Sequence, residues 1–198
     1  ESFADLKGKS LAMDALATGF AFVLYRMLDK AGLTAEDYKL VSVGATPHRW
    51  EAVQRGEYAG TLLIEPFTGQ ARAGGYTILE SSLQTFKNYP GQMFGAMRGW
   101  ANENRPTMIS FINGYLDALD WTFVQSNKEE AARVLGANMP QMPENAVTSA
   151  LEKLLVPETG LIPMGTVDMD GLKTVLEVRS QYAPQGKQLT DINKYLDL

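Results

Sequence analysis

Three short segments carry the side chains best suited to hold a small molecule. Each segment follows an apolar, strand-like run and leads into a helix-like one. Acidic, hydroxyl, glycine and aromatic residues recur in them: Asp14, Thr18, Gly19, Phe20, Gly44, Ala45, Thr46, Glu65, Pro66 and Phe67. Because ligands of open parallel α/β sheets settle beyond the carboxyl ends of the strands, we predict that these ten residues form one binding site.

The residue types indicate how such a site would hold its ligand. Thr18 and Thr46 offer hydroxyl groups, and Gly19 lets a ligand approach the backbone closely. Phe20 and Phe67 would supply apolar or stacking walls. A plainer alternative stays open, in which the two threonines only cap helices and Phe20 belongs to the core.

Two carboxylates bear on the class of ligand. Asp14 and Glu65 accept hydrogen bonds when ionised, so they suit a cationic or hydroxylated ligand better than a bare anion. This favours a small organic molecule. The same two residues are also compatible with a catalytic acid–base pair.

Other signatures of enzymes and metal sites are missing from the sequence. It has one histidine, His48, and no cysteine. A single histidine at a helix start cannot form a metal cluster, and the lack of cysteine excludes disulfides, thiolate ligands and cysteine nucleophiles. There is no P-loop, no dinucleotide-binding fingerprint and no nucleophile elbow. We therefore expect a protein that is not an enzyme and has no metal or cofactor.

Composition and charge limit the classes of partner that the protein is expected to bind. The 198 residues are 45% hydrophobic and 21% charged, with a net charge of −5. This balance argues against nucleic acid, which needs a basic surface. The most apolar stretch, residues 15–25, is too short to span a bilayer. The first residues lack the features of a signal peptide, so an export signal would lie outside this sequence.

The first part of the chain alternates between strand-like and helix-like patterns. We predict strands at 10–13, 39–43, 60–64 and 76–79, and helices at 18–32, 48–55 and 66–74. The third strand is expected to be buried on both faces. Strand–helix–strand alternation with short links predicts a mainly parallel sheet covered by helices. Residues 1–85 are therefore interpreted as one complete α/β lobe.

The remainder, residues 86–198, reads as helical with at most one strand, at 92–97. Apolar stripes at helical spacing are interpreted as core, and Asp170 is expected to cap the last long helix. Helices with such stripes lack a sheet of their own here. The sequence therefore predicts a helix-rich, partial second lobe, with part of the fold lying outside it.

The order of several motifs resembles a family of ABC-importer substrate-binding proteins, the nitrate/sulfonate/taurine and thiamine-precursor (SsuA/THI5-like, NMT1) branch. Segments that resemble the family's elements are 5–12 ("DLKGK" and a strand), 28–33, 37–41, 52–60 ("ALxxGxxDA"), 64–67 ("EPF"), 126–135 ("NPEEAAxxL") and 191–196. Ala59 stands at the usual aspartate of the fourth segment. The resemblance covers nearly the whole chain.

The resemblance implies a type II periplasmic-binding fold with two lobes and a hinge. It implies an extracytoplasmic or periplasmic protein that carries a small-molecule solute to a membrane permease. In that family a segment ahead of "DLKGK" builds much of the other lobe's sheet. We expect that segment to lie outside this sequence, to have been lost, or to come from another chain.

Two other functions stay open. The branch includes pyrimidine-synthesis homologues that are enzymes, but their chemistry requires a histidine-rich segment and this sequence has only His48. A ligand-sensing regulatory domain of the same fold would bind a solute without meeting a permease.

Overall fold

The computed structural model describes residues 2–140, 142–156, 160–183, 186 and 188–196. It divides into two compact units. The first comprises Glu1–Gly91 and Asp168–Leu198, and the second is Gln92–Val167. This division differs from the predicted one at residue 85, because the last long helix of the chain packs with the first unit.

Three parallel strands form the sheet of the first unit. They are β1 (Lys9–Met13), β2 (Tyr38–Ser42) and β3 (Gly60–Thr61), in the order β2-β1-β3. Leu11 of β1 is in register with Leu40 on one side and with Gly60 on the other. The central strand is the buried one, as its apolar sequence predicts. The predicted parallel α/β arrangement is therefore confirmed.

Helices surround this sheet and make up the second unit. In chain order they are α1 (Gly19–Lys30), α2 (Thr46–Gln54), α3 (Phe67–Ala73), α4 (Ser82–Thr85), α5 (Arg98–Glu103), α6 (Arg105–Phe123), α7 (Lys128–Asn138), α8 (Glu144–Leu154) and α9 (Met169–Tyr182). Short 3-10 turns lie between some of them. The first four and α9 belong to the first unit.

Helix α1 shows how local sequence sets its bounds. The Thr18 side chain accepts a hydrogen bond from the Ala21 backbone N–H, which caps the helix start. After the helix, Gly32 adopts a φ of +79°, which glycine tolerates without strain. One face of α1 packs Leu24 and Leu28 onto Leu11 of the sheet. The predicted cap and the predicted end are both confirmed.

A second core cluster joins α1 to α9 within the first unit. Val178 of α9 is fully buried and packs with Phe22, Val23 and Met27 of α1 and with Phe86. The N-cap of α9 is Asp168, whose carboxylate accepts from the Gly171 backbone N–H at 2.9 Å. The expected cap at Asp170 was therefore wrong by two residues.

Two predicted strands are wrong within the described residues. Residues 76–79 pair with no strand; instead, the Tyr76 ring packs edge-on against Trp50, with ring centroids 4.9 Å apart. Residues 92–97 are also unpaired and largely exposed, and Phe94 contacts Phe111 of α6. Both segments make side-chain contacts without strand pairing, and a run of apolar residues alone does not distinguish such a segment from a strand.

The third strand is shorter and less buried than predicted. Pairing stops after Thr61. Arg49 donates to the next carbonyl, that of Leu62, at 2.7 Å, and the Thr61 hydroxyl donates to the Ala12 carbonyl at 2.7 Å. Hydrogen bonds from side chains thus replace backbone pairing beyond the end of β3. Ile64 is 43% exposed, so the expectation of burial on both faces was wrong.

The second unit is helical in all of its regular described elements. Its small core brings Met142, Val147 and Ala150 together against α7. Along α6, Leu119 of the predicted apolar stripe is buried and Ile112 is exposed. The other residues of the stripe are half-buried: Met108, Tyr115, Leu116 and Phe123. The interpretation of the α6 stripe as core therefore holds in part.

Candidate functional site

All three strands run in the same direction, so their carboxyl ends meet at one edge of the sheet. Three segments follow them there: loop 1 (residues 14–18), loop 2 (residues 43–45) and loop 3 (residues 62–66). The Ser42 hydroxyl donates to the Asp14 carbonyl at 2.8 Å. The backbone N–H of Val43 donates to the Met13 carbonyl at 2.7 Å. Loops 1 and 2 are therefore tied to each other at their bases.

Loop 1 is organised around a hydroxyl and a carboxylate. The Thr18 hydroxyl donates to the Asp14 carboxylate at 2.9 Å while it accepts from the Ala21 backbone N–H at 3.1 Å. Both side chains are half-buried. The Asp14 carboxylate and the Thr18 hydroxyl therefore both lie at the start of α1, where the helix presents its unpaired N–H groups.

The start of α1 combines an open backbone with aromatic groups. Gly19 is exposed, and its carbonyl accepts from the Tyr89 hydroxyl at 3.3 Å. Phe20 is half-buried and packs on the core around Leu11. Burial raises the pKa of Tyr89, so its hydroxyl stays a donor. Tyr89 was not predicted, because it lies far from α1 in the sequence.

Loop 2 turns sharply before α2. Gly44 adopts a φ of +104°, a conformation that disfavours any other residue. Ala45 is exposed, and the first residue of α2 is Thr46. The Thr46 hydroxyl accepts from Arg49 at 2.8 Å and caps no helix, so a cap is observed at Thr18 and not at Thr46.

Loop 3 is held from both ends. The Glu65 carboxylate accepts from the Gly69 backbone N–H at 3.2 Å, at the start of α3. Pro66 follows a cis peptide bond and is buried. The Phe67 ring packs with Trp50 and is also buried, so Phe67 anchors the loop from below and does not form a wall of the crevice.

Arg49 is a residue of this region that the sequence interpretation missed. Its side chain is 1% exposed. Burial lowers the pKa of its guanidinium, and the nearby Asp14 carboxylate partly opposes that effect. The one signal in the sequence was its spacing: Arg49 follows Thr46 by three residues, which places both on one face of α2.

The sheet topology thus collects the three predicted segments at one edge of the first unit. Exposed or half-buried groups there come from Asp14, Thr18, Gly19, Phe20, Gly44, Ala45, Thr46 and Glu65. Pro66 and Phe67 support the site from within the fold. The arrangement offers carboxylates, hydroxyls and helix starts side by side, which suits noncovalent capture of a small polar molecule.

A separate groove of about 620 Å³ lies elsewhere on the first unit. It is bordered by α1 and α9 and includes Arg26, Lys30, Asp170 and Glu177. None of the ten predicted residues lines it. Its charges are mixed, and Arg26 pairs with Glu177 across it.

In the described part of the chain, no group of three or more histidine, cysteine or acidic residues is placed to bind a metal ion. No helix among the described residues has both the length and the apolar character needed to cross a membrane.

Comparison with known proteins gives one family. The model of the NMT1-like family matches residues 2–136. Among the curated proteins, none matches the sequence.

Solved structures share the fold. A protein from Bordetella bronchiseptica RB50 superposes with a TM-score of 0.75 at 21% identity, covering 98% of this chain and 63% of that one. The periplasmic aliphatic sulphonate binding protein SsuA from Escherichia coli superposes with a TM-score of 0.69 at 19% identity, covering 98% of this chain and 64% of that one. A protein described as the periplasmic sulfonate-binding protein SsuA from Methylobacillus flagellatus KT superposes with a TM-score of 0.67 at 19% identity. The superposition covers 99% of this chain and 59% of that one.

The chain thus spans less than two thirds of the length of these structures. At such identities the similarity establishes architecture. The chain has the α/β fold of periplasmic binding proteins, with one α/β unit and one helical unit, as predicted.

Proposed function

The chain belongs to the NMT1-like family, and from that premise we propose that it is the solute-binding component of an ABC importer. The observation that carries the proposal is the cluster of loops 1, 2 and 3 at the carboxyl edge of one parallel sheet. That edge is where open α/β folds bind their ligands. The loops would form the first lobe's side of the interlobe cleft that the family fold implies.

The proposed site consists of the ten predicted residues. Asp14, Thr18, Glu65 and Thr46 supply polar groups, Gly19, Gly44 and Ala45 supply accessible backbone, Phe20 supplies an apolar surface, and Pro66 and Phe67 anchor loop 3. No group in this set acts on the ligand chemically in the proposal. The protein binds and releases its solute unchanged.

The ligand is proposed to be a small organic solute. The Asp14 carboxylate uses one oxygen for the Thr18 hydroxyl, and a carboxylate has about four lone-pair positions in all. Asp14 can therefore also accept a hydrogen bond from a ligand hydroxyl or amine. Phe20, half-buried in the first turn of α1, favours a ligand with an apolar part.

The partner and location follow from the same proposal. Two of the similar structures are described as periplasmic sulfonate-binding proteins. We place this protein outside the cytoplasmic membrane, where it would deliver its solute to a membrane permease. A sensory domain of the same fold would bind solute too, but no observation favours that alternative.

Calorimetric titration tests the proposed site. Ethanesulfonate, nitrate and thymine, which represent three solute classes, are titrated into the protein and into the double variant Thr18→Ala with Glu65→Ala. We expect the probe that binds to lose about tenfold or more in affinity, because two polar contacts are removed.

A matched control keeps this test specific. Thr122→Ala with Glu152→Ala makes the same two substitutions in helices of the second unit, where Thr122 is half-buried and Glu152 is exposed. It should bind as the wild type does. An unchanged affinity in the site variant would refute the proposed location, and absence of binding by all three probes would count against solute binding of these classes.

A further inference from the structure

The three loops share one internal contact point, the guanidinium group of Arg49. Nε donates to the Gly44 carbonyl at 3.0 Å, and Nη2 donates to the Thr46 hydroxyl at 2.8 Å. Both acceptors lie at loop 2 and the start of α2. These bonds fix the turn that Gly44 makes.

The other side of the same group reaches loop 3. Nη1 donates to the Leu62 carbonyl at 2.7 Å and to the Thr61 hydroxyl at 3.2 Å. The Thr61 hydroxyl in turn donates to the carbonyl of Ala12 in β1. One side chain therefore connects the end of β3 with loop 2.

Arg49 reaches the region of loop 1 through the aromatic ring of Phe20. The Arg49 guanidinium carbon lies 6.0 Å from the centroid of the Phe20 ring, at the limit of a cation–π contact. Phe20 is the second residue of α1, the helix that loop 1 leads into. Arg49 therefore bonds loops 2 and 3 directly, and it meets loop 1 through the Phe20 ring and through the charge of Asp14.

The surroundings of Arg49 are unusual for a buried charge. Within the described residues, no carboxylate lies within 4.0 Å of it, although buried charges are normally paired. Four neutral oxygen atoms satisfy it instead: three belong to loop 2, loop 3 and the end of β3, and the fourth is the Thr46 hydroxyl at the start of α2. A residue kept at such a desolvation cost for fold stability alone would more simply be apolar.

We propose that Arg49 is a positioning residue that holds the three strand-end loops in the geometry required for solute binding. The inference rests on the proposed function for its effect on affinity. Its effect on the loops stands apart from any ligand. Arginine is required because its planar fork holds donors on three separate nitrogen atoms, which here reach oxygen atoms on both sides of the group, whereas the donors of lysine all lie on one nitrogen.

The test combines Arg49→Lys with two measurements. Amide hydrogen exchange follows the N–H groups of Gly44, which bonds the Met13 carbonyl, and of Phe67, which bonds the Ile64 carbonyl. We expect exchange to rise about tenfold or more at these two amides and to stay unchanged in α9. The affinity for ethanesulfonate, nitrate or thymine should fall by about tenfold or more.

Arg26→Lys is the matched control. Arg26 pairs with Glu177 at the surface of the same unit and contacts none of the loops, so this variant should keep both loop protection and affinity. If Arg49→Lys does not fold, Thr61→Val replaces it. That variant removes one acceptor of the fork and should raise exchange at the same amides to a smaller degree.

The outcomes separate the two claims. Unchanged exchange at Gly44 and Phe67 in Arg49→Lys overturns the positioning role, whether or not a ligand is known. Raised exchange with unchanged affinity overturns the link between loop geometry and binding. If the wild type binds none of the probes, the proposed function fails for these classes, while the exchange data still decide the role of Arg49.

Discussion

A single hydroxyl at Thr18 accepts from the first turn of α1 and donates to Asp14. We expect Thr18→Ala to lower the free energy of unfolding by about 1 kcal/mol, because the cap is lost. Urea denaturation measures the change. Thr122→Ala, in the last turn of α6, removes a threonine that caps no helix start and should leave stability within about 0.5 kcal/mol of the wild type. Equal losses in both variants would contradict the capping role.

Individual residues differ in how well the sequence predicts them. Thr18 was readable as a cap because a hydroxyl residue precedes an apolar helical pattern. Thr46 is also a threonine that precedes a predicted helix, but its hydroxyl accepts a hydrogen bond from Arg49. A contact of that kind depends on tertiary packing. Arg49 itself was missed because charged residues are almost never fully buried. Phe67 was expected at the crevice, and its ring lies in the core with Trp50.

At the scale of an element, Asp37 holds the turn that leads into β2. Its carboxylate accepts from the backbone N–H and the hydroxyl of Thr34, at 2.8 and 3.0 Å, and pairs with Lys7 at 3.2 Å. These contacts, with the Thr34 backbone bond first, lower the pKa of Asp37 below its ordinary value of 3.8.

The lowered pKa has a consequence for stability. A depressed pKa stabilises the fold above pH 3.8, and this contribution is lost as pH falls through the lower, folded value. Asp37→Asn should therefore be less stable than the wild type at neutral pH, with a gap that closes under acid. Lys7→Met should show a smaller gap, because the Thr34 bonds remain. Unfolding by urea at stepwise lower pH measures both, and a gap that widens under acid would be inconsistent with this account.

The packing of α1 on the sheet leads to a second prediction about a single element. Leu28 is fully buried against Leu11, so Leu28→Ala should lower the free energy of unfolding by about 2–5 kcal/mol. Leu83 of α4 is exposed, and Leu83→Ala should change it by about 0.5 kcal/mol or less. Thermal and urea unfolding compare the two. Similar losses would mean that α1 does not form the core described here.

Elements with a clear period were predictable, and those fixed by distant contacts were not. The spacing of apolar residues predicted α1 and the strands β1, β2 and β3. The same criterion placed strands at residues 76–79 and 92–97. Whether such a segment pairs depends on a neighbouring edge that the local sequence does not specify, since β3 ends after Thr61.

For the whole molecule, the first unit is built from two separate stretches of chain. Helix α9 covers Phe22, Val23 and Met27 of α1 through the buried Val178. A chain that ends at Val167 should expose this surface, lose cooperative unfolding of the first unit and bind the dye ANS. A chain that ends at Ala183 keeps α9 and should unfold cooperatively. Unaltered unfolding without α9 would contradict the division into these two units.

Binding of a small solute by loops 1, 2 and 3 can be followed residue by residue in a backbone amide NMR titration. Ethanesulfonate, nitrate and thymine are added in turn to the isotopically labelled protein. We expect one probe to shift the amide signals of residues 14–20, 43–46 and 62–67 together, with saturation. Shifts confined to the groove near Arg26 and Glu177, or no shift with any of the three probes, would contradict it.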